Sequence, residues 1–313
     1  MNDLKKSIEI IIPAFNEDEC IPELGRRLTK VFDENIDYDF KAIIIENVST
    51  DSTYEKLLEL SNQDSRFAIL KLSRNFRMDG GLTAGLNYAR ADAVVLMTAD
   101  LQDPPEVIPE FIKLWEKGYE SVYAIVTSRK SSKLLRRINS SLFYLVAGYF
   151  TNQLIPRNVS DFRLVDRKVY EVIRSMNERN RFIRGLFAWV GFNSTGIKVD
   201  RAERFGGKSN ADTGKVIDLA LKGIFAHSTI PLRLITILGL STSIFSVISF
   251  GFLLIRLFIY GVPFSGYGIL VTLNLFVLGT ISLCLGVVAE YLGLVYEEVK
   301  ARPNYVVSEE INL

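Results

Sequence analysis

From Ile8 onward, short apolar runs alternate with longer stretches of mixed polarity. IEIIIP, FKAIII, FAILKL, AVVLM and SVYAIV are rich in β-formers and too short for helices, so each is a predicted strand. Between them, Glu19 to Phe32, Thr53 to Ser61, Gly80 to Ala89 and Pro105 to Trp115 read as amphipathic helices. Strand-helix alternation predicts an α/β fold with a mostly parallel sheet wound on both faces. In such sheets ligands bind beyond the carboxyl ends of the strands.

The pattern changes near the C-terminus. Leu234 to Ile255 and Ile269 to Ala289 contain no charged residue, and each reaches the roughly 20 residues that cross a ~30 Å hydrocarbon core. Soluble helices keep a polar stripe, and these show none. The link YGVPFSGYG (Tyr260 to Gly268) is short and uncharged, which predicts a hairpin of two transmembrane helices at about 234–256 and 269–290. Arg233, Lys300 and Arg302 flank the outer ends, against Arg256 alone near the hairpin, so both termini and the rest of the chain are expected in the cytoplasm. Lys5 and Lys6 before IEIIIPAF do not make a signal peptide, because the apolar run is only a strand's length.

Four polar clusters follow the first four strands: PAFNED (Pro13 to Asp18), ENVSTDS (Glu46 to Ser52), LSRNF (Leu72 to Phe76) and TADLQDPP (Thr98 to Pro105). Singly, each reads as a helix start, with Asp51 and Asp103 as start signals. Together on one rim, with Asp100 and Asp103 flanking Gln102, they point to a site for a polyanion with a metal ion. GGLTAG lacks the dinucleotide-binding spacing, so Gly80, Gly81 and Gly85 are expected to serve helix packing. Arg129, Lys130, Lys133, Arg136 and Arg137 precede LFYLVAGYF with no acid until Asp161, a pattern suited to an anionic membrane surface. Lys215 to Ser228 is a second amphipathic candidate, in which His227 is expected to pack at the interface. Arg201 and Arg204, three apart, could hold a phosphate by forked hydrogen bonds.

Composition narrows the chemistry. Apolar residues make up 48% and charged residues 23% of the 313, an average that hides the uneven distribution above. Lys and Arg number 37 against 36 Asp and Glu, so no global basic field recommends nucleic acid. Cys20 and Cys284 match no metal or redox spacing, and a single histidine argues against Ser-His-Asp triads and zinc sites. What remains is carboxylates, amides and arginines.

Taken in order, IIPAFNEDE, the S-T-D of ENVSTDS, LSRNF, ADLQDPPE, DFRLVDRKV, RFIRGLFAWVG, RAERFGG, two apolar spans and EYLGLVYEEVKARP resemble the bacterial polyprenyl-phosphate glycosyltransferases, GT-A relatives of dolichol-phosphate mannosyltransferase. The resemblance covers essentially the whole chain. It implies a homo-oligomeric enzyme of the bacterial inner membrane that transfers one sugar, with inversion, to undecaprenyl phosphate for cell-surface glycan or O-antigen modification. The donor it implies is a nucleotide diphosphate sugar, UDP-sugar favoured over GDP-sugar. By motif, Pro13, Phe15, Glu17, Asn47 and Ala99 would line the nucleotide sugar, and Asp100 and Gln102 would hold Mg²⁺ or Mn²⁺. Asp161 matches the aspartate proposed as catalytic base, and Arg163, Arg201, Arg204 and Arg129 would serve the phosphates. The implied organisation is a nucleotide-sugar core at 1–127, an acceptor-side segment with interfacial helices at 128–232, the two spans within 233–296 and a cytoplasmic tail at 297–313.

Elementary chemistry bears on these roles. A lipid monophosphate, with a second pKa near ~6, is largely a dianion at neutral pH and needs no strong base, which leaves Asp161 the alternative of orienting arginines. Four positions depart from the family's pattern: Asn47 and Thr98 replace aspartates, Val126 an arginine and Asn210 a lysine. Those departures raise a non-catalytic partner as the alternative. A processive polysaccharide synthase would carry Q-x-x-R-W, and neither Trp115 nor Trp189 has that context.

Overall fold

The computed structural model describes residues 5–127, 159–201, 230–261 and 266–313. The basic segment with Arg129, Arg204, the amphipathic candidate with His227, and residues 262–265 of the hairpin link lie outside them. The chain divides into two compact units, Met1–Val216 with Arg302–Leu313, and Ile217–Ala301.

The first unit is built on eight strands: β1 (Lys6–Ala14), β2 (Tyr38–Glu46), β3 (Phe67–Leu72), β4 (Ala93–Leu96), β5 (Ser121–Val126), β6 (Val159–Asp166), β7 (Ser194–Val199) and β8 (Val307–Ile311). They form one sheet in the order β7-β5-β6-β4-β1-β2-β3-β8. β1 pairs in parallel with β2 and β4, β2 with β3, and β5 with β7, whereas β6 and β8 run antiparallel to their neighbours. The mostly parallel α/β sheet is therefore as expected, and the five predicted strands are β1 to β5.

Alternation along β1 explains the two layers. Ile8, Ile10 and Ile12 enter one core cluster and Ile11 the other, since successive side chains of a strand point to opposite faces. On the first face lie α1 (Ile21–Glu34), α2 (Thr53–Gln63) and α4 (Ile108–Glu116), on the second α3 (Arg77–Tyr88), α5 (Arg167–Ser175) and α6 (Ile183–Trp189). α1 buries Ile21, Leu24, Leu28, Val31 and Phe32, a helical stripe worth about 1.5–3 kcal/mol per side chain. α3 lies close on the sheet: a Cβ at Gly85 would collide with Ile11, and one at Gly81 would come within 3.1 Å of Pro13. Helix packing is thus the use of GGLTAG.

Residues 302–313, expected as a tail, instead end in an edge strand. β8 pairs with β3 in the register Ile69↔Ile311 and Leu70↔Glu310. Tyr54 donates to Glu309 at 2.6 Å and Tyr88 to Glu310 at 2.5 Å. With only Val307 and Ile311 apolar, VSEEI is too weakly patterned to be read as a strand without its partner.

The second unit holds two long helices in mutual contact, α7 (Ile230–Tyr260) and α8 (Tyr267–Lys300). They overrun the expected spans at both ends. Leu240, Ile244, Ile248, Phe252 and Phe258 on α7 are each more than half exposed. Among the described residues, Phe276–Lys300 is a helical segment long and apolar enough to cross a membrane.

Candidate functional site

Because β1 to β4 run the same way, the connections that follow them leave the sheet at one edge. Side chains tie these loops together. Asn16 donates its backbone N–H to Ser49 Oγ at 3.1 Å and accepts from Thr50 N at 2.8 Å. Glu17 N donates to Thr53 Oγ1 at 2.9 Å. Asp51 accepts from Thr53 N at 3.0 Å, as a helix-start residue does, and from Asp18 N at 3.3 Å across the loops. The helix-start reading and the shared-rim reading are both realised in this residue.

Strain gathers on the same edge. Asn16, Val48, Arg77 and Leu101 have φ of 55°, 58°, 63° and 57°, one in each of the four connections. A left-handed conformation suits glycine and is costly for a β-branched residue, and such outliers cluster at functional sites. Val48→Gly is expected to stabilise the protein by about 1 kcal/mol, after the entropic penalty of glycine, as a rise in thermal unfolding midpoint.

Asn47 is 2% exposed, and its side-chain oxygen accepts from Phe76 N at 3.3 Å. Its Nδ2 would lie 3.2 Å from a Cβ at Gly81, so α3 crowds the position expected to read the base. Pro13, Phe15 and Glu17, at and after the end of the neighbouring strand β1, are half-buried, and Ala99 is buried.

β4 ends in the loop of Asp100. Thr98 Oγ1 donates to Asp100 Oδ1 at 2.7 Å, and Gln102 N lies 3.3 Å from the same oxygen. Asp103, read from sequence as a helix start, is turned inward at 2% exposure. It accepts from Ser160 Oγ at 3.3 Å and from Thr98 Oγ1 at 3.3 Å, and pairs with Arg201 Nε at 3.4 Å. Burial pushes the Asp103 carboxyl up, against the pull of Arg201. Asp103 thus faces protein groups, and Asp100 is a half-buried carboxylate at this rim. The Asp100 carboxylate suits a hard divalent cation that would take most of its oxygens from a bound diphosphate.

β6 runs antiparallel to β4, with Leu96 opposite Arg163, so its first residues arrive at the rim where β4 ends. Asp161 there receives Arg184 of α6 in a forked pair, Nε to Oδ1 at 2.8 Å and Nη2 to Oδ2 at 2.5 Å. Burial tends to raise the Asp161 carboxyl, but Arg184, Arg163 and Arg201 together hold it below the usual range. Arg163 is 4% exposed, donates to the Ser160 carbonyl at 3.2 Å and lies 4.6 Å from the Phe187 ring centre. Burial pulls its guanidinium down from the ordinary value.

Asp79, in the first turn of α3, accepts from Ile183 N at 3.3 Å. Burial pushes its carboxyl from 3.8 up to about 6, Asp161 adding to the rise and the Ile183 N–H and Arg184 opposing it. The folded state therefore holds more proton than the unfolded chain between pH about 4 and 6, and stability falls as pH rises through that window. The penalty is absent below it and complete above it, at up to about 3 kcal/mol. Asp79→Asn is expected to unfold at a higher temperature than the parent at pH 8 and to lose that advantage at pH 4.

The rim thus brings together Asp100, Gln102, Asp161, Arg163 and Arg201 from the expected set, and Arg129 and Arg204 fall outside the described residues. Neither Asp79 nor Arg184 stands out in the sequence as a site residue, and RFIRG is a motif without an assigned role; Asp103, expected beside Asp100 at a metal site, is instead turned inward.

Comparison with known proteins identifies the scaffold. The family described as Glycosyl transferase family 2 matches residues 9–174. The chain belongs to that family. Relatives of this glycosyl transferase family 2 chain include an uncharacterized glycosyltransferase of Synechocystis sp., 40% identical over 302 residues covering 96% of this chain and 95% of the relative. The bactoprenol glucosyl transferase of Shigella phage SfII is 36% identical over 302 residues, 96% of this chain and 97% of the relative. Among solved structures, mannosyl-3-phosphoglycerate synthase from Rubrobacter xylanophilus is similar at a TM-score of 0.47 and 13% identity, covering 73% of this chain and 74% of that one. The resemblance to bacterial polyprenyl-phosphate glycosyltransferases, drawn from motifs, is matched by relatives that span nearly the whole chain.

Proposed function

We propose that this glycosyltransferase transfers a single sugar, with inversion, from a nucleotide diphosphate sugar to polyprenyl phosphate at the cytoplasmic face of a membrane. The observation that carries the reading is one sheet rim on which the Asp100 carboxylate and an arginine cluster meet, in a chain that also holds two long helices with uncharged runs. Pro13, Phe15, Glu17, Asn47 and Ala99 line the nucleotide sugar in this reading, a UDP-sugar first and a GDP-sugar second. Asp100 and Gln102 would hold Mg²⁺ or Mn²⁺, which when bound would compensate the charge of the donor diphosphate.

On the acceptor side, Arg201, Arg204 and Arg129 attract the lipid phosphate, the buried Arg163 adds its charge at a distance, and Asp161 orders the arginine paired with it. A dianionic monophosphate is nucleophilic without help, so a single histidine suffices for this chain. α7 and α8 form the membrane hairpin, with both termini on the cytoplasmic side, where Arg233, Lys300 and Arg302 lie.

The test uses the purified full-length protein in detergent with divalent metal, undecaprenyl phosphate and a panel of UDP- and GDP-sugars. Mass spectrometry of the lipid fraction is expected to show one lipid-linked monosaccharide. Absence of product with every donor, from folded protein that binds nucleoside diphosphate, refutes the reading.

A further inference from the structure

We propose that Arg184 is a direct ligand of the acceptor phosphate, and that Asp161 is a positioning residue for Arg184 rather than the group that accepts a proton. The inference rests on the reading above and assigns the acceptor side of that same site.

The pair is a fork on a fork: both oxygens of Asp161 accept from one guanidinium, at 2.8 and 2.5 Å. That geometry fixes the plane of the guanidinium, which is what recognition of a planar or tetrahedral oxyanion requires. The Arg184 and Asp161 side chains are 30% and 27% exposed, so the pair is reachable, whereas Arg163 beside it is buried. The start of α6 is also tied to α3, because Asp79 accepts the Ile183 N–H next to Arg184. The backbone of α6 and the guanidinium of Arg184 are thus each held by a carboxylate from a separate element.

Asp161 is poorly suited to take a proton. An effective base has a proton affinity near the working pH, and this carboxylate is held low by the arginines around it. The acceptor does not ask for one either. Its phosphate oxygen forms the new bond to the anomeric carbon as the bond to the donor diphosphate breaks; the electron pair leaves on the nucleotide, and no proton is exchanged. An arginine oriented in advance lowers the entropic demand of aligning that oxygen.

Kinetics on the full-length protein in detergent separate the two roles. Arg184→Gln and Asp161→Asn are each expected to raise KM for undecaprenyl phosphate about tenfold, with KM for the sugar nucleotide changed less than about twofold. The double variant should be no worse than Arg184→Gln, and Arg184→Lys should not restore affinity, because an ammonium cannot fork. If Asp161→Asn instead lowers kcat about a hundredfold at saturating acceptor with KM unchanged, Asp161 is a base and the inference is overturned. A second arm needs no turnover: inorganic phosphate should broaden its ³¹P resonance with the parent protein and not with folded Arg184→Gln. Should the parent form no lipid-linked sugar while this difference persists, the proposed reaction fails and Arg184 remains an anion ligand. Equal broadening by parent and Arg184→Gln overturns the assignment of Arg184.

Discussion

Asp100→Ala is expected to lower the rate of glycosyl transfer about a thousandfold, measured as initial rates at saturating donor and acceptor. The reason is local chemistry at the end of β4. Asp103, three residues on, is turned toward Ser160 and Arg201, and Asp100 is half-buried in that loop, where a carboxylate would meet a metal-diphosphate complex. Contacts of Asp100 within the loop include Thr98 Oγ1 and Gln102 N. Thermal unfolding should therefore shift by only a few degrees. Retention of more than about a tenth of the rate would remove Asp100 from the reacting centre.

Asp103→Ala is expected to act in the opposite sense, on stability before catalysis. Its carboxylate is 2% exposed, accepts from Ser160 Oγ on β6, lies 3.3 Å from Thr98 Oγ1 and forms an ion pair with Arg201 just after β7. Removing it leaves Arg201 without its buried counter-charge, and losses of this kind run to about 3 kcal/mol. For a domain of this size that corresponds to a fall of about 6–12 °C in the unfolding midpoint, read by circular dichroism in detergent. Asp103→Asn should fall by less, since an amide oxygen still accepts from Ser160, although its NH₂ then faces Arg201. Equal midpoints for parent and Asp103→Ala would show that the ion pair contributes nothing.

The two substitutions lie three residues apart in TADLQDPP, where Asp103 before Pro104 and Pro105 reads as a helix start and both acids are expected to flank a metal site. Only the fold turns Asp103 inward, because β6 brings Ser160 beside it and Arg201 follows β7. Arg184 was hidden for a related reason. RFIRG shows an arginine on a short amphipathic turn, and its partner Asp161 is 23 residues away on an antiparallel strand. Asp79 likewise reads as an ordinary acid in the first turn of a helix until Ile183 arrives above it in sequence by 104 positions.

Strands were legible where burial on both faces makes the run continuously apolar, as in EIIIP and AIII. β6 was obscured by Asp161 and Arg163, charged side chains that the site requires inside a strand. β8 was obscured by its place at the sheet edge, where alternation needs little apolar content.

What the sequence determined by itself is whatever depends on neighbours along the chain: the strand-helix alternation, the polar loops at the strands' carboxyl ends, the two uncharged runs and the family-specific order of motifs. The tertiary structure decided which of several chemically similar side chains face one another. Carboxylates and guanidiniums take their roles from burial and from partners distant in sequence, and electrostatic energy varies with separation in space. Hence Asp100, Asp103 and Asp161, three acids of one composition class, become a half-buried rim carboxylate, a buried tie and a partner of Arg184.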